Sequence, residues 1–322
     1  MISRRLLRIK TLQILFAFYR GENDSLAKVE NELTHSINRA FDLYHYILLL
    51  LIDLRLYADN RIELARQKKM PTLEDVNPNT RFIDNQVIKL LEDNVELNIY
   101  LRDNKLSWAN YPELIKKLYQ KVTASKYYEK YMEGEETGFA HDKNLVIQIL
   151  TKELAGFEDF EQCLEDQSIY WNDDLDFMAG MVVKTIKKFE ENQPSSIRLF
   201  PLFRNEEDED FAQRLLRKTV LKHDENVKVI DKFTKNWDVE RIASMDILIM
   251  EMALTEILEF PSIPVKVTFN EYIEISKYYS TEQSSMFING ILDKIIHTFR
   301  EENRIQKQGR GLVGEDDLAT DS

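Results

Sequence analysis

Three arginines near the amino terminus have a spacing that would bring their charges together. If residues 3–20 form a helix, Arg4, Arg5 and Arg8 fall within about 100° of one another, opposite the apolar face. Clustered guanidinium groups can pair with phosphates, and an adjacent aromatic ring such as Phe16 can stack on an unstacked base. The alternative stays open that these arginines form only a solvated surface.

The elements that must position such side chains are predicted to be helices. Hydrophobic residues make up 43% of the 322 residues, while glycine (9) and proline (7) are too scarce for the turns of a large sheet protein. The pattern predicts an all-α fold, with helical segments over 3–20, 25–68, 81–101, 111–131, 142–155, 172–191, 225–236 and 240–260.

The residue types argue against catalysis and against metal or cofactor binding. Cys163 is the single cysteine, so neither a disulfide framework nor a cysteine metal site can form. The five histidines are scattered, and no nucleophile motif is present. Gly309, Gly311 and Gly314 spell a formal G-x-G-x-x-G, but no strand precedes them, so the match is interpreted as chance. We therefore predict a binding protein with no catalytic residues, no metal and no cofactor.

Charge and hydropathy limit where the chain acts and what it binds. The longest apolar run, residues 47–52, is far shorter than the roughly 20 residues of a membrane span, and the amino terminus lacks a secretion signal. A cytoplasmic location without membrane contact is expected. The net charge of −13 opposes non-specific nucleic-acid binding, so local basic patches must decide. The acidic block 206–210 is interpreted as the first turn of a helix.

The last third of the chain carries the clearest signals. A nearly all-apolar helix over 246–258 should occupy the centre of a bundle. Two apparent capping boxes follow, Thr268–Glu271 opening a helix over 271–279 and Ser280–Gln283 opening one over 284–300. Gly290 lies inside that last helix, where glycine costs roughly 1 kcal/mol relative to alanine. Close packing is the favoured reason, and a ligand is the other.

These residues resemble those of a known family. The run from Ile263-Pro264 through Asn270-Glu271 to Lys277, followed by Phe287-Ile-Asn-Gly-Ile-Leu-Asp293, resembles the bacterial transcription antitermination factor NusB. The first helix resembles that of the family as well. The resemblance covers about 1–60 and 195–300. It predicts an N-terminal half over 1–60, an inserted helical region of unknown role over 61–194, a C-terminal helical domain over 195–300 and a disordered tail over 301–322.

The resemblance implies a NusB-like two-part helical bundle with additional inserted helices. It also implies binding of single-stranded boxA-type leader RNA of ribosomal RNA operons, together with the small-subunit ribosomal protein NusE, in the RNA polymerase antitermination complex. The implied RNA-binding residues are Arg4, Arg5, Arg8, Gln13, Phe16, Lys277, Gln283, Phe287 and Asn289. Asp246 matches a family acid near the ribosomal-protein partner, and the Asn289-Gly290 step becomes a candidate RNA-proximal position.

Alternatives stay open at two levels. Phe287 can be a core residue, and Asp246 can be an ordinary acid at a helix end. For the whole chain, one alternative is a helical protein-interaction scaffold that has lost specific RNA binding. Another is a helical domain of the kind appended to ribosomal RNA methyltransferases, although no Rossmann domain is visible in the sequence. Four aromatic residues of the middle segment are expected in the core: Tyr127, Tyr128, Tyr131 and Trp171.

Overall fold

All regular elements of the described chain are helices. The computed structural model describes residues 2–21, 25–191, 198–234 and 243–313, and no strand occurs in these ranges. The predicted all-α class is therefore confirmed. The chain divides into two compact units, unit 1 with residues 38–202 and unit 2 with residues 2–37 and the chain from 203 onward. The boundaries predicted from the sequence lie instead near residues 60 and 195. None of the helices in the described ranges is long and apolar enough to cross a membrane.

The longest helix belongs partly to each unit. Helix α2 runs from Leu26 to Arg66 without a break over 41 residues, as the predicted helical block 25–68 requires. Residues up to Ile37 belong to unit 2 and those from Asn38 belong to unit 1. The boundary between the two units therefore lies inside a helix, where no glycine or proline marks it.

Within its described residues, unit 1 contains the carboxyl-terminal part of α2, eight further α-helices and a short 3-10 helix (Ile169–Trp171). The eight α-helices are α3 (Leu73–Val76), α4 (Gln86–Glu92), α5 (Val95–Asp103), α6 (Pro112–Thr123), α7 (Lys126–Glu133), α8 (Phe139–Lys152), α9 (Glu158–Gln167) and α10 (Leu175–Lys187). Large aromatic residues fill the core: the rings of Tyr46 and Trp108 stack at 3.6 Å, and Trp171 Nε1 donates to the carbonyl of Arg39 at 2.6 Å. Tyr128, Tyr131 and Trp171 are buried, which confirms their expected core role, whereas Tyr127 is only half-buried.

Asp142 and His45 are buried polar residues of unit 1 whose side chains have defined partners. Asp142 accepts a hydrogen bond from Tyr131 Oη at 2.8 Å and another from the backbone N–H of Gln86 at 2.8 Å. His45, 3% exposed, stacks on Tyr100 at 3.6 Å, and its Nδ1 lies 2.9 Å from the carbonyl of Phe41. Polar contacts of this kind help to fix one arrangement of the core.

Unit 2 is built around one buried helix. Its helices besides the start of α2 are α1 (Arg4–Arg20), α11 (Glu206–Leu221), α12 (His223–Thr234), α13 (Ser244–Glu259), α14 (Val265–Tyr279) and α15 (Glu282–Glu301). Helix α13 packs against α1, α11, α12, α14 and α15. It is apolar nearly all round and therefore occupies the centre, as predicted. Residues 235–242, which include Trp237 and the predicted start of this helix at 240, lie outside the described residues.

Both predicted capping boxes of unit 2 are wrong in detail. Helix α14 begins at Val265 after Pro264, so Thr268 and Glu271 lie inside it and face other helices. The N-cap of α15 is Thr281, whose hydroxyl accepts from the backbone N–H of Ser284. A Thr-x-x-Glu pattern also arises in a helix interior when the two residues bond to neighbouring helices, and spacing alone does not distinguish the two cases.

Part of the predicted disordered tail has a defined structure. After α15, Lys307 Nζ donates to the carbonyls of Ile257 and Phe260 at 2.8 and 3.0 Å, and so caps the carboxyl end of α13. The backbone N–H of Gln308 donates to the carbonyl of Pro261 at 3.0 Å. A Cβ atom on Gly311 would lie 1.9 Å from that same carbonyl oxygen, so glycine is required there. Residues 314–322, with the last glycine of the formal G-x-G-x-x-G, lie outside the described residues.

Candidate nucleic-acid interface

Helix α1 runs beside α14 in parallel register. Arg5 donates to both carboxylate oxygens of Glu271 at 2.9 and 2.8 Å, and Gln13 Nε2 donates to Tyr279 Oη at 3.1 Å. Both pairs join residues that are 266 positions apart, so the two helices advance together over this stretch. Eight helical residues span about 12 Å. The structure therefore brings the first helix of the chain to the end of α14, where α15 begins.

Arg8 is a core residue. It is 2% exposed, and its guanidinium group donates to both oxygens of the fully buried Glu256 at 2.7 and 2.6 Å. The same carboxylate accepts from Thr268 Oγ1 at 2.8 Å and from Tyr272 Oη at 3.1 Å. Burial opposes the charged form of Arg8, but Glu256 outweighs it and raises the pKa of Arg8 above its ordinary value. A bidentate buried pair of this kind leaves Arg8 unavailable to a phosphate.

The other two arginines of the predicted basic face are also ion-paired with the protein. Arg4 Nε lies 2.7 Å from Asp208 Oδ1, and its Nη2 lies 3.1 Å from Glu207 Oε1. Two acids of the block 206–210 thus face α1, beyond their place in the first turn of α11. The side chain of Arg5 is 49% exposed beside Glu271, so it is the most accessible of the three. Arg5 and Arg8 lower the pKa of Glu271 although burial opposes this.

The residues predicted from α14 and α15 lie mostly at the surface. Lys277, Gln283 and Asn289 are exposed, and Lys277 pairs with Glu274 one turn earlier. Phe287 is half-buried, so part of its side chain remains accessible. On α1, Phe16 is half-buried with the guanidinium group of Arg20 over its ring at 4.4 Å. These side chains offer amide groups, aromatic rings and a cation, the groups that hold single-stranded RNA in other proteins.

Gly290 has no packing reason to be glycine. It is exposed inside α15, and no described atom outside its own helix backbone and chain neighbours lies within 4 Å of where a Cβ would stand. The close-packing explanation favoured by the sequence is therefore wrong. The remaining explanation from the sequence analysis is a ligand that approaches the helix at Asn289-Gly290.

Asp246 is bound within the protein. It lies in the first turn of α13, is 3% exposed and accepts a hydrogen bond from the Ser280 hydroxyl group at the end of α14. This contact connects the start of α13 to the corner between α14 and α15. Asp246 thus fixes that corner and does not present its carboxylate to a partner in this structure.

Sequence reasoning missed a polar cluster at the other end of α1. Glu251, 1% exposed, accepts from Tyr19 Oη at 3.3 Å and lies 3.0 Å from His223 Nδ1, and the rings of Tyr19 and His223 stack at 4.6 Å. Burial raises the pKa of Glu251 to about 7, although His223 and Tyr19 oppose the rise. Glu251 and Glu256 are the acids inside an otherwise apolar helix, a signal that predicts buried partners. In the described ranges no group of three or more His, Cys, Asp or Glu residues could hold a metal ion.

Comparison with known proteins places the chain in a family. A model described as the NusB family matches residues 178–297. The chain is similar to the transcription antitermination protein NusB of Salinibacter ruber, with 41% identity over 118 residues, which are 37% of this chain and 74% of that protein. The chain belongs to the NusB family. This confirms the resemblance seen in the sequence.

Further NusB relatives match shorter parts. The NusB protein of Chloroherpeton thalassium is 38% identical over 49% of its length, which corresponds to 32% of this chain. The NusB protein of Thermodesulfovibrio yellowstonii is 42% identical over 60% of its length, which corresponds to 28% of this chain. No solved structure matches the chain. The NusB family match covers most of α10, all of helices α11 to α14 and most of α15. Helix α1 lies outside that match, yet it packs within unit 2 against α11 and α13.

Proposed function

We propose that this NusB family member is a cytoplasmic, non-enzymatic transcription antitermination factor. It binds boxA-type leader RNA of ribosomal RNA operons together with ribosomal protein NusE, within the RNA polymerase antitermination complex. The observation that carries the proposal is the 41% identity to a transcription antitermination protein over 74% of its length. The side chains along α1, α14 and α15 support it, because they combine an accessible arginine with amides and aromatic rings on helices held in register.

The proposed RNA face consists of one set of side chains in unit 2. Its members are Arg5, Gln13, Phe16, Lys277, Gln283, Phe287 and Asn289. Arg5 and Lys277 would exchange their carboxylate partners for phosphates, Phe16 and Phe287 would stack on bases, and the amide side chains would read base edges. Arg8 and Arg4 support this face by holding α1 against α13 and α11. Asp246 would act on partner binding by fixing the corner at which α15 begins.

The test replaces the two accessible cations of the face. In Arg5→Gln/Lys277→Gln, the slope of log affinity for boxA RNA against log salt should become less steep by about 1.4, because each phosphate contact on a single strand contributes about 0.7. The matched control is Arg217→Gln/Lys222→Gln, which removes two ion-paired cations from α11 and its carboxyl end. The control should bind like the wild type. Filter binding or gel shift over a salt series measures both quantities.

Two results would contradict the proposal. If the wild type binds boxA and scrambled RNA with equal affinity, with NusE present or absent, the chain is better explained as a helical scaffold that lacks specific RNA binding. If the wild type prefers boxA but Arg5→Gln/Lys277→Gln keeps its affinity and salt slope, the RNA face has been placed wrongly. Gly290→Ala separates stability from binding, because it should fold at least as stably as the wild type and still weaken boxA binding.

A further inference from the structure

A second basic surface lies on unit 1, at the carboxyl end of α10. Lys184, Lys187 and Lys188 are spaced so that they share one helix face, and all three are exposed. Lys188 Nζ lies 4.1 Å from the ring centroid of the half-buried Phe200. Three cations and an aromatic ring therefore meet on one side of unit 1, in a chain whose net charge is −13.

These lysines differ from the arginines of α1 in their electrostatic partners. Arg4, Arg5 and Arg8 each pair with a carboxylate of the protein. Within the described residues, none of the three lysines forms an ion pair. They do not pair even with Glu190 and Glu191, the exposed acids that follow the helix. A polyanion could bind this face without first displacing a carboxylate.

The lysines are not needed to satisfy the end of their own helix. Basic residues in a last helical turn often serve to bond the free carbonyl groups. Here that role belongs to Lys143 on α8, whose Nζ lies 2.5 Å from the carbonyl of Phe189 and 3.4 Å from that of Lys187. The favourable interaction of the three lysines with the helix dipole remains, but it does not use their hydrogen-bond donors.

The surroundings favour nucleic acid over a protein partner. Protein interfaces have an apolar centre, whereas a nucleic-acid backbone needs mainly cations and occasional aromatic rings. In the described residues between 175 and 204, no large hydrophobic side chain is among the exposed ones. The face therefore offers charge without an apolar patch.

We propose that Lys184, Lys187 and Lys188 bind the phosphate backbone of single-stranded RNA that continues beyond the boxA element. The inference rests on the proposed RNA-binding function, but it assigns a separate contact to unit 1. This contact carries no sequence preference, because ammonium groups on flexible stems read charge and not base edges. It would give unit 1 a role in holding the transcript.

The experiment compares full-length wild type with Lys184→Gln/Lys187→Gln/Lys188→Gln on boxA RNA alone and on the same RNA extended at both ends. On extended RNA, three fewer contacts should make the salt slope about 2 less steep, since each contributes about 0.7. Between about 50 and 200 mM salt the wild type should then lose about 20-fold more affinity than the variant. On boxA RNA alone the two proteins should bind alike.

Two control variants test whether the effect is specific to this face and to its charge. Lys105→Gln/Lys126→Gln/Lys130→Gln removes three other exposed lysines of unit 1 and should leave the salt slope unchanged. Lys184→Arg/Lys187→Arg/Lys188→Arg keeps the charge and should bind like the wild type. An unchanged slope on extended RNA for the glutamine variant of the α10 face overturns the inference, whatever the result with boxA.

The remaining outcomes separate this inference from the proposed function. If the wild type shows no preference for boxA but the α10 variant still flattens the slope on extended RNA, the proposed function fails and this contact stands. If the α10 variant keeps RNA binding and loses retention on immobilised polyglutamate, the face binds acidic protein and the RNA assignment is overturned. If the wild type binds no RNA, both proposals fail.

Discussion

Replacing Arg8 by methionine tests whether this residue belongs to the core or to the RNA face. The change leaves the carboxylate of Glu256, which is fully buried, with two hydroxyl donors and no cation. Breaking a buried ion pair from one side costs about 3–5 kcal/mol. Two short hydrogen bonds of 2.7 and 2.6 Å are lost, so we expect a value within that range. The measurement is the free energy of unfolding from urea denaturation, with the denaturant slope used to check two-state behaviour.

A second variant separates lost charge pairing from lost packing. Arg8→Met/Glu256→Gln removes both charges and keeps an amide oxygen for Thr268 and Tyr272. It should therefore recover more than half of the loss, because an isolated buried charge is the larger part of the penalty. Arg5→Met is the matched control on the same helix: its ion pair is half-exposed and should cost about 0–1 kcal/mol.

The opposite result would refute the core assignment. Suppose that the free energy of unfolding of Arg8→Met lies within about 1 kcal/mol of the wild-type value, while the affinity for boxA RNA and the steepness of its salt dependence both fall. Arg8 would then be a surface residue that contacts RNA. The resemblance to the family implied that role. The same outcome would mean that the bidentate pair with Glu256 is not the state that binds RNA.

Two further predictions concern the tail and unit 1. Gly311→Ala should destabilise the protein by about 1–3 kcal/mol and speed amide exchange at Gln308, because its Cβ would meet the carbonyl of Pro261. Slow exchange at Gln308 in that variant would show that the tail contact does not need glycine. Burial lowers the pKa of His45 from 6.5 to about 4. Between these values the unfolded chain binds more protons, so stability is complete above about pH 6.5 and about 3 kcal/mol is lost as pH falls to 4. His45→Phe should flatten that part of the stability–pH curve, and an unchanged curve would contradict the neutral, buried histidine.

Helix content and the central position of α13 could be predicted from the sequence, because apolar periodicity and scarce glycine depend on local composition. The partners of polar residues could not. Glu271 fits a capping box in spacing, but it pairs with Arg5, far away in the chain. Arg8 lies on the basic side of α1 in the helical pattern, yet packing between α11 and α14 covers that side too. Burial depends on which helices surround α1, and the sequence pattern of one helix does not contain this information.

The candidate site could be predicted mainly through the family resemblance. The residues themselves indicate a well-packed helical bundle, and only the ordered match from Ile263 to Asp293 connects Lys277, Gln283 and Asn289 to RNA. The lysines of α10 carry no motif, so nothing in the sequence distinguishes them from other exposed lysines. Two contacts distinguish them. Lys143 of α8 bonds the carbonyl of Phe189 after α10, and Phe200 lies beside Lys188. Both contacts depend on the folded arrangement of α8, α10 and the segment around Phe200.

Lys307, which caps the carboxyl end of α13, shows that the recognisable family segment and the folding unit have different lengths. The family match ends at residue 297, and the lysine that bonds the last carbonyls of the central helix comes ten residues later. A chain shortened at the end of the match would keep its family signature and leave those carbonyls to water. The stability of the central helix therefore depends on a segment that lies outside the family match, and shortening the protein there would weaken the part by which the family is recognised.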